Sequence, residues 1–368
     1  MNKGLTLLLI GGIYLFLAVA PVQALISGDA NNDTKVNLGD IIYLVNYLFK
    51  GGPSPVIRFS GDVNANCQTN LSDLIYLVNY VFKGGPVPES CPPWGEPQNL
   101  GPPINSVDGA LTPCISADGK TLYFTKPGTL GSDDIYYSTW NGTSWIVPAP
   151  IPGKVNSVYY EAKPSVTADG KKLFFESFRA GGFGGDDIWM SVWDSTKNEW
   201  GEPINLGPNI NTLYDDGSPS LTADGKKLYF MSDGWPHGNG RAIWLSTWNG
   251  SGWDPPIALN SGVNANGTED DPNISADGKI MHFIRWNFYG PQIYVSYWEN
   301  DDWSTAENLG SPVNDTFPSL SPCITFDGLS LYFASYRPGN IGGTDIWVSH
   351  RGKSAKTTFE NSNNKSRR

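Results

Sequence analysis

A repeat of about 50 residues constrains the fold of this chain more than any other feature of its sequence. An Asp-Gly pair marks each copy and stands between two runs of alternating apolar and polar residues, the strongest short-range signal for a β-hairpin. The pairs begin at Asp118, Asp169, Asp224, Asp277 and Asp327, so consecutive copies are 51, 55, 53 and 50 residues apart. A period of this length indicates a ring or stack of similar units.

Each unit holds four runs suited to β-strands. The second run reads TLYFTK, KLFFES, KLYFMS, IMHFIR and LYFAS in the five copies, and the third reads DIYYSTW, DIWMSVW, AIWLSTW, QIYVSYW and DIWVSH. Four strands per unit at this period are typical of one blade of a β-propeller. Blades stack face to face and bury both faces, which agrees with 13% aromatic and only 17% charged residues.

The fourth run begins with a tryptophan, and the number of its copies predicts how the ring closes. The copies begin at Trp94, Trp145, Trp200, Trp253 and Trp303. The first precedes the first Asp-Gly turn, whereas the last unit ends at His350 without a copy. If residues 94–101 supply the outer strand of the last blade, no sheet edge stays open. We therefore predict a mainly β fold, a five-bladed propeller over residues 94–350 closed by its N-terminal strand; the alternatives are an open stack and a six-bladed ring with one degenerate blade.

The five units resemble the WD-repeat-like propellers of the TolB type. Blades of that type read P-x-x-x-x-D-G-x-x-L-x-F-x-S and then D-I-W, a pattern that the second and fifth units match in full and the other three in part. The resemblance implies the propeller fold. It implies no particular function, because propellers serve in binding, scaffolding and catalysis alike.

Residues 1–24 have the features of a secretory signal peptide. They contain one Lys, an apolar run from Leu5 to about Ala20, and the small-x-small sequence Val22-Gln23-Ala24. The run is short for a spanning helix, so a retained membrane anchor is the less favoured alternative. We expect a mature protein without a membrane span, secreted to the extracellular space, with the periplasm as the alternative location.

A second repeat, with a period of 33 residues, precedes the propeller. Residues 28–53 align with residues 61–86, and each copy is a loop rich in Asp and Asn followed by an amphipathic helix. The predicted apolar stripes, which can bury against each other, are Ile41, Leu44, Val45, Leu48 and Phe49 in the first helix and Leu74, Leu77, Val78, Val81 and Phe82 in the second. The loops place side-chain oxygens at positions one, three, five and twelve and a backbone carbonyl at position seven, as a Ca²⁺ loop requires. The predicted ligands are Asp29, Asn31, Asp33, Lys35 (carbonyl) and Asp40 in the first loop, and Asp62, Asn64, Asn66, Gln68 (carbonyl) and Asp73 in the second. The alternative is an Asx-rich turn that only caps a helix.

The paired loops and helices resemble a type I dockerin, a small all-α domain of two EF-hand-like repeats with Asp at position twelve. The resemblance covers residues 27–88 and implies two bound Ca²⁺ ions and docking to a cohesin domain on a scaffolding protein. The sequence departs from the pattern at position six, where EF-hand loops favour Gly and this chain has Thr34 and Cys67. Leu38-Gly39 and Leu71-Ser72 stand where dockerins usually contact cohesin, so an unfamiliar cohesin or another partner stays open.

The remaining boundaries follow from composition. We predict a dockerin-like domain over residues 25–88, a Pro-rich linker over 89–93 and a disordered basic tail over 351–368. The net charge is −11, and the tail carries six basic residues and one Glu, so residues 1–350 carry −16. Such a charge argues against a nucleic-acid partner.

Four cysteines occur in this exported chain, where disulfides can persist. Cys67 lies in the second loop and Cys91 in the linker, so the two can form a disulfide or remain thiols. Cys114 and Cys323 hold equivalent places in the first and fifth blades, which are neighbours only in a closed ring. Equivalent side chains point the same way round a ring, so we predict two buried thiols there.

Acidic residues recur where the inner strands approach the central channel. The candidate catalytic carboxylates are Asp108, Glu161, Asp216 and Glu269, since five-bladed propellers that cleave glycosidic bonds use channel carboxylates. Their recurrence in successive blades equally suits structural residues, with Arg179 and Arg337 placed to pair with such acids. Trp235, Trp286 and Tyr289 are candidate stacking residues for sugars, although packing within the blades is the favoured role for any single one of them. The favoured interpretation is a propeller that binds carbohydrate or protein within an assembly for polysaccharide breakdown; the alternative is a dockerin-borne glycoside hydrolase.

Overall fold

The computed structural model describes residues 25–128, 132–235, 240–265, 268–288 and 290–352. The predicted signal peptide and residues 353–368 of the predicted tail lie outside these ranges, as do His237 and Tyr289. Two helices come first, α1 over Leu38–Lys50 and α2 over Leu71–Lys83, and 22 strands follow. No helix within the described ranges is long and apolar enough to cross a membrane.

The strands form five antiparallel sheets, one per predicted blade, which confirms the five-bladed propeller. The first sheet contains β2 Leu111–Ile115, β3 Thr121–Pro127, β4 Asp133–Thr139 and β5 Ala149–Pro150. The second contains β6 Glu161–Val166, β7 Lys172–Ser177, β8 Asp187–Asp194, β9 Glu199–Trp200 and β10 Ile204–Asn205. The third contains β11 Asp216–Leu221, β12 Lys227–Ser232, β13 Ala242–Thr247 and β14 Ile257–Ala258. The fourth contains β15 Glu269–Ile274, β16 Ile280–Asn287, β17 Gly290–Glu299, β18 Asp302–Trp303 and β19 Glu307–Asn308; the fifth contains β20 Ser319–Ile324, β21 Ser330–Ser335, β22 Asp345–His350 and β1 Gln98–Asn99.

The ring closes as the tryptophan count predicted. Strand β1 pairs antiparallel with β22, with Gln98 opposite Val348 and Asn99 opposite Trp347. The Gly95 amide donates to the His350 carbonyl at 2.9 Å and the Leu100 amide to the Ile346 carbonyl at 3.1 Å. The first strand of the propeller is therefore the outer strand of its last blade.

The predicted fourth run of each blade is two short pairings rather than one strand. In the second blade, Trp200 pairs with Trp193, and pairing with β8 resumes only at Ile204. Pro203 lies between the two pairings, and proline has no N–H to donate to the ladder. The centroids of the two tryptophan rings are 5.2 Å apart in an edge-to-face arrangement, and the rings cover the start of this interrupted strand.

An asparagine joins each blade to the next, and four of the five are buried. The Asn105 side chain accepts from the Ile346 amide at 2.8 Å and donates to the Ile346 carbonyl at 2.9 Å. Four equivalent pairs are Asn156 with Ile135, Asn211 with Ile188, Asn264 with Ile243 and Asn314 with Ile293. We call these five pairs the Asn–Ile clasps. Because the Asn105 clasp spans the two ends of the ring, closure uses the same contact as every other blade junction.

The two helices pack against each other ahead of the propeller. Each begins at an asparagine capping box, Asn37 or Asn70, and ends at a glycine with left-handed backbone, Gly51 or Gly84. Ile41, Leu44 and Leu77 of the predicted apolar stripes are buried between them. Phe49 and Phe82 are 60% exposed, contrary to the predicted stripes, because eight residues of helix rotate a side chain about 80° from Ile41 or its equivalent.

The helix pair is fastened to the turn end of the fourth blade. Cys67 and Cys91 form a disulfide, which ties the linker to the second loop. The Arg58 guanidinium lies 3.8 Å from the centre of the Tyr297 ring, and Glu299 and Glu307 accept from it at 3.1 and 2.7 Å. Cys114 and Cys323 are buried free thiols, as predicted.

Cysteine reactivity tests this assignment. Without reductant, we expect a thiol reagent to modify no cysteine in the native protein, because Cys114 and Cys323 are buried and Cys67 and Cys91 are bonded to each other. Two cysteines should react after denaturation and four after reduction as well, counted by intact mass. Four reactive cysteines in the unreduced, denatured protein would contradict the Cys67–Cys91 disulfide.

A second test concerns the Asn–Ile clasp at the closure. Asn105→Ala leaves a buried amide and a buried carbonyl of Ile346 without these side-chain partners. We expect the free energy of unfolding of the propeller to fall by about 3 kcal/mol, measured by denaturant titration of tryptophan fluorescence. Val147→Ala, at an exposed position, serves as the control and should change it by less than about 0.5 kcal/mol. Equal stability of Asn105→Ala and the control would show that the clasp does not hold the ring.

Candidate calcium sites and propeller channel

The first Asp-rich loop wraps around two buried carboxylates. The Asp29 carboxylate accepts from the Asp33 amide at 2.9 Å and the Thr34 amide at 2.8 Å. The Asp40 carboxylate, in the first turn of α1, accepts from the Asn31 amide at 3.2 Å and the Asn37 amide at 2.9 Å. These bonds bring loop positions one and twelve together, as a single cation site between them needs.

The second loop repeats this arrangement with one contact moved by a residue, since the amide of position two rather than position three bonds to the carboxylate of position twelve. The Asp62 carboxylate accepts from the Asn66 amide at 3.1 Å and the Cys67 amide at 2.8 Å. The Asp73 carboxylate accepts from the Val63 amide at 3.0 Å and the Asn70 amide at 2.9 Å. The Cys67 sulfur also lies close to Asp62, but its bond to Cys91 removes it as a metal ligand.

Position six of each loop adopts the backbone conformation that glycine would favour. Thr34 has φ of +71° and Cys67 has φ of +62°, in the left-handed region. A residue with a Cβ atom pays about 1–2 kcal/mol there, which is why EF-hand loops favour Gly. Both loops therefore keep the turn of the dockerin pattern despite the departure at this position.

The charges of the two loops fit a hard cation. Asp29, Asp40, Asp62 and Asp73 are buried, and in the described part of the chain no Lys or Arg forms an ion pair with them. Burial, and then the negative charge of Asp73, raise the pKa of Asp62 to about 7; burial also raises the pKa of Asp40 and of Asp73. A buried carboxyl group without an ion-pair partner either holds a proton and is neutral or, as an anion, needs a metal. Carboxylate, amide and carbonyl oxygens are the ligands that Ca²⁺ prefers.

The candidate catalytic carboxylates of the propeller take different positions. Glu161, Asp216 and Glu269 each stand two residues before a bulge in an inner strand and are fully buried. Ala110 holds the equivalent position in the first blade, and Asp108 lies two residues earlier on the surface. The structure therefore does not bring the four together at one point in the channel.

The three buried acids bond to the loop that precedes their own strand. Ser157, Thr212 and Ala265 donate backbone amides to Glu161, Asp216 and Glu269. Arg179 pairs with Glu161 at 2.7 Å and Arg285 pairs with Glu269 at 2.8 Å. Arg337 contacts the Ser319 hydroxyl at 3.2 Å in the fifth blade. Through these contacts the acids hold the blades. This is the structural role that their recurrence in successive blades suggested as the alternative to catalysis.

A polar cluster around Lys163 fills the centre of the channel; the sequence placed Asp270 and Asp271 at the channel but did not indicate Lys163, Glu176 or Ser218. The Lys163 ammonium lies 3.0 Å from Asp271, 3.3 Å from Asp270 and 3.6 Å from Glu176. It also donates to the Ser218 hydroxyl at 2.7 Å. Burial alone would lower the pKa of Lys163, but the three carboxylates raise it well above its ordinary value. Burial raises the pKa of Glu176 to about 7.

Bulges in the inner strands create this cluster. The bulge residues have φ between +20° and +160° although none is glycine: Thr112 (+46°), Lys163 (+51°), Ser218 (+52°), Asp271 (+49°) and Ser321 (+47°). Each is followed by proline, which restricts the backbone before it. The residue before the proline of each first strand was thus a sequence signal for the channel lining. Such strained backbone persists where surrounding structure enforces it and clusters at functional sites.

Two of the candidate stacking residues are described. Trp235 is partly buried against the Trp244 ring at 6.2 Å and donates to the Ile210 carbonyl at 3.4 Å. It therefore packs within the third blade. Trp286 is 48% exposed at the end of β16. Tyr289 lies outside the described residues.

Comparison with protein families identifies the loop–helix pair. Residues 27–82 match the dockerin type I domain, so this part of the chain is a type I dockerin, as the loops predicted. Type I dockerins generally bind calcium, and a dockerin implies docking to a cohesin in an extracellular cellulosome. The whole sequence matches none of the curated proteins with which it was compared.

Comparison with solved structures finds other propellers at low identity. TolB from Acinetobacter baumannii is 18% identical with a TM-score of 0.42, covering 67% of this chain, which spans 55% of the length of that protein. The α-L-arabinofuranosidase from Podospora anserina solved with cellotriose is 13% identical (TM-score 0.48; 72% and 98% of the two chains). A thermostable family-43 glycoside hydrolase is 12% identical (TM-score 0.49; 70% and 97%). At these identities the likeness says nothing about activity.

The raised pKa of Asp62 predicts how pH acts on the metal-free dockerin. Its ordinary value is 3.8 and its folded value about 7. The stability that its proton contributes is therefore complete below about pH 4 and lost as pH rises through about 7. We expect the helical circular-dichroism signal of metal-free protein to melt at a lower temperature near pH 8 than near pH 5, and Ca²⁺ to reverse this loss, since it binds ionised carboxylates.

Asp62→Asn is the matched variant for this prediction. It keeps the shape of the side chain but removes the titrating group, so the difference between the two pH values should shrink. Its response to Ca²⁺ should weaken as well. An unchanged pH dependence in Asp62→Asn would contradict the role given to Asp62.

Proposed function

We propose that this chain is a secreted, calcium-dependent docking protein. Its dockerin attaches to a cohesin-type domain on a scaffolding protein, and its propeller binds a carbohydrate or protein ligand in an extracellular assembly for polysaccharide breakdown. The observation that carries the proposal is the pair of matched loops, with ten predicted Ca²⁺ ligands in the same arrangement in both copies. The buried carboxylates of these loops leave the folded dockerin dependent on a cation.

Exposed faces on the two helices support docking to a partner. Equivalent residues 33 positions apart carry large apolar side chains that are more than half exposed: Leu38 (51%) and Leu71 (53%), Ile42 (54%) and Ile75 (55%), and Phe49 (60%) and Phe82 (60%). Apolar side chains grouped on a surface are typical of protein-interaction sites. Because each helix begins at its own Ca²⁺ loop, the metal fixes the position of the face that the partner contacts.

Cohesin binding tests this proposal. We expect the full chain to bind an immobilised type I cohesin in Ca²⁺ and to lose at least about 100-fold in affinity with a chelator. Asp29→Ala combined with Asp62→Ala should bind as weakly in Ca²⁺ as the wild type does in chelator. Glu202→Ala, an exposed acid of the propeller, is the control and should bind normally. Binding that survives both chelation and the double substitution would overturn the docking mechanism.

A glycoside hydrolase remains the second candidate because of one observation in the channel. Burial raises the pKa of Glu176 to about 7, so only part of the population holds a proton there near neutral pH, the form in which a general acid acts. The Tyr160 hydroxyl donates to it at 3.2 Å. A screen for reducing sugar on a polysaccharide panel separates the two functions.

The screen needs variants that leave the fold intact. Glu176→Gln removes the proton donor and keeps the shape of the side chain. Asp216→Asn with Glu269→Gln, which removes two of the four carboxylates named from the sequence, changes residues that hold their blades and is informative only if its circular-dichroism spectrum is unchanged. We expect no activity from any of them or from the wild type. Reducing sugar released by the wild type and lost in Glu176→Gln, with an unchanged circular-dichroism spectrum, would replace the binding function with hydrolysis.

A further inference from the structure

One end of the propeller exposes a ring of apolar side chains. This end, the loop face, consists of the loops before the inner strands and the loops after the second strands. Neighbouring blades meet there, since the Gly185 amide donates to the Tyr214 carbonyl at 3.2 Å and the Ala110 amide to the Thr344 carbonyl at 2.8 Å. Its exposed large apolar side chains are Val107, Val158, Phe178, Phe183, Leu213, Tyr214, Trp286, Phe288, Phe317, Tyr336 and Ile341.

The dockerin occupies the opposite end. Lys279, directly after the Asp277-Gly278 turn of the fourth blade, lies 3.4 Å from the Tyr47 hydroxyl of α1. Attachment to a scaffold through the dockerin therefore leaves the loop face pointing away from the attachment point. Exposed apolar side chains concentrated in this way mark interaction sites on soluble proteins. Seven of the eleven side chains are aromatic, which favours a ligand with flat apolar surfaces.

The second blade holds one aromatic ring rigidly at the rim. Phe178 is 52% exposed and stacks on the Tyr160 ring, with centroids 6.1 Å apart and planes 12° apart. The Tyr159 ring meets it edge to face at 5.9 Å. The Tyr160 hydroxyl is in turn bonded to Glu176. A ring fixed before a ligand arrives loses little conformational entropy on binding.

The adjoining loop of the third blade adds a second exposed ring. Tyr214 is 61% exposed, and its amide donates to the Thr212 hydroxyl at 3.1 Å. Its neighbour Asp215 accepts from the Asp186 amide at 3.3 Å and lies 3.7 Å from Arg241. The Asp215 side chain is 40% exposed. The two aromatic rings and this carboxylate therefore lie on loops that are bonded to each other.

The charge of this region narrows the class of ligand. Six carboxyl groups and two basic groups of the second, third and fourth blades line this side of the channel: Glu176, Asp186, Asp215, Asp233, Asp270 and Asp271 against Lys163 and Arg241. An excess of carboxylates repels polyanions. Carboxylate oxygens accept hydrogen bonds from hydroxyl groups, which an uncharged sugar supplies in number.

We propose that the loop face between the second and third blades binds an uncharged polysaccharide chain, with Phe178 and Tyr214 stacked on sugar rings and Asp215 accepting from sugar hydroxyls. The inference rests on the proposed function, because it takes the propeller to be the ligand-binding module of a docked protein. The proposed function leaves open the class of ligand and the residues that bind it, and the inference supplies both.

Affinity electrophoresis of the full chain tests the inference. Native gels contain xylan, glucomannan or mixed-linkage glucan as uncharged polymers, or polygalacturonate as a polyanion, all with Ca²⁺. We expect retardation in at least one uncharged polymer and none in polygalacturonate. Phe178→Ala and Tyr214→Ala should each weaken binding at least about five-fold, the scale of one lost stacking contact. Trp140→Ala, a 39% exposed aromatic on a hairpin at the other end, is the control and should bind as the wild type.

Two results would overturn the inference. One is free migration of the wild type in all the uncharged polymers, whether or not polygalacturonate retards it. The other is unchanged retardation of both Phe178→Ala and Tyr214→Ala, with circular dichroism confirming that the variants are folded. Cohesin binding of the same samples separates this outcome from failure of the docking function. A chain that binds cohesin but no glycan contradicts only the inference. A chain that binds glycan but no cohesin contradicts only the docking function.

Discussion

The Asn–Ile clasp is the contact on which the propeller depends. One asparagine side chain closes two hydrogen bonds with the backbone of an isoleucine in the preceding blade, and the Asn105–Ile346 pair does so across the ends of the chain. Each clasp sets the position of the inner strand of one blade relative to the third strand of the blade before it. With the blades so placed, the second strands bury equivalent aromatic residues completely: Phe124, Phe175, Phe230, Phe283 and Phe333. The apolar core thus follows from a polar contact that recurs at every junction.

The same junctions determine what the channel can do. Acids at the start of the inner strands pair with arginines or loop amides and hold the blades, as Glu161 does with Arg179. The bulge residue two positions later has a left-handed backbone and lines the channel, so it is the next position available for function. Lys163 at that position carries a positive charge into a group of carboxylates. Structural and channel-lining carboxylates therefore alternate within a few residues of sequence.

Much of the architecture was predictable from the sequence because it depends on local periodicity. The Asp-Gly turns, the strand runs and the count of tryptophan motifs predicted five blades and a closing strand, and the structure confirms both. The spacing of loop oxygens predicted Ca²⁺ loops, and the resemblance of the paired loops and helices to a type I dockerin is confirmed by the family comparison. The prediction that Phe49 is buried was wrong, because a stripe read on one helix does not say where its partner helix ends. The contacts of Lys163 were not predictable, since Asp270 lies 107 residues further along the chain and only ring closure brings it near.

In the proposed function, the dockerin attaches the chain at one end and the loop face lies at the other, so a bound cation would control where the propeller is held rather than what it binds. The most direct test of this account is the number of Ca²⁺ ions bound by the metal-free full chain, measured by isothermal titration calorimetry near neutral pH. The account predicts two ions per chain, and one when either Asp29 or Asp62 is replaced by Ala. Binding of no Ca²⁺, or an unchanged stoichiometry in both variants, would contradict it.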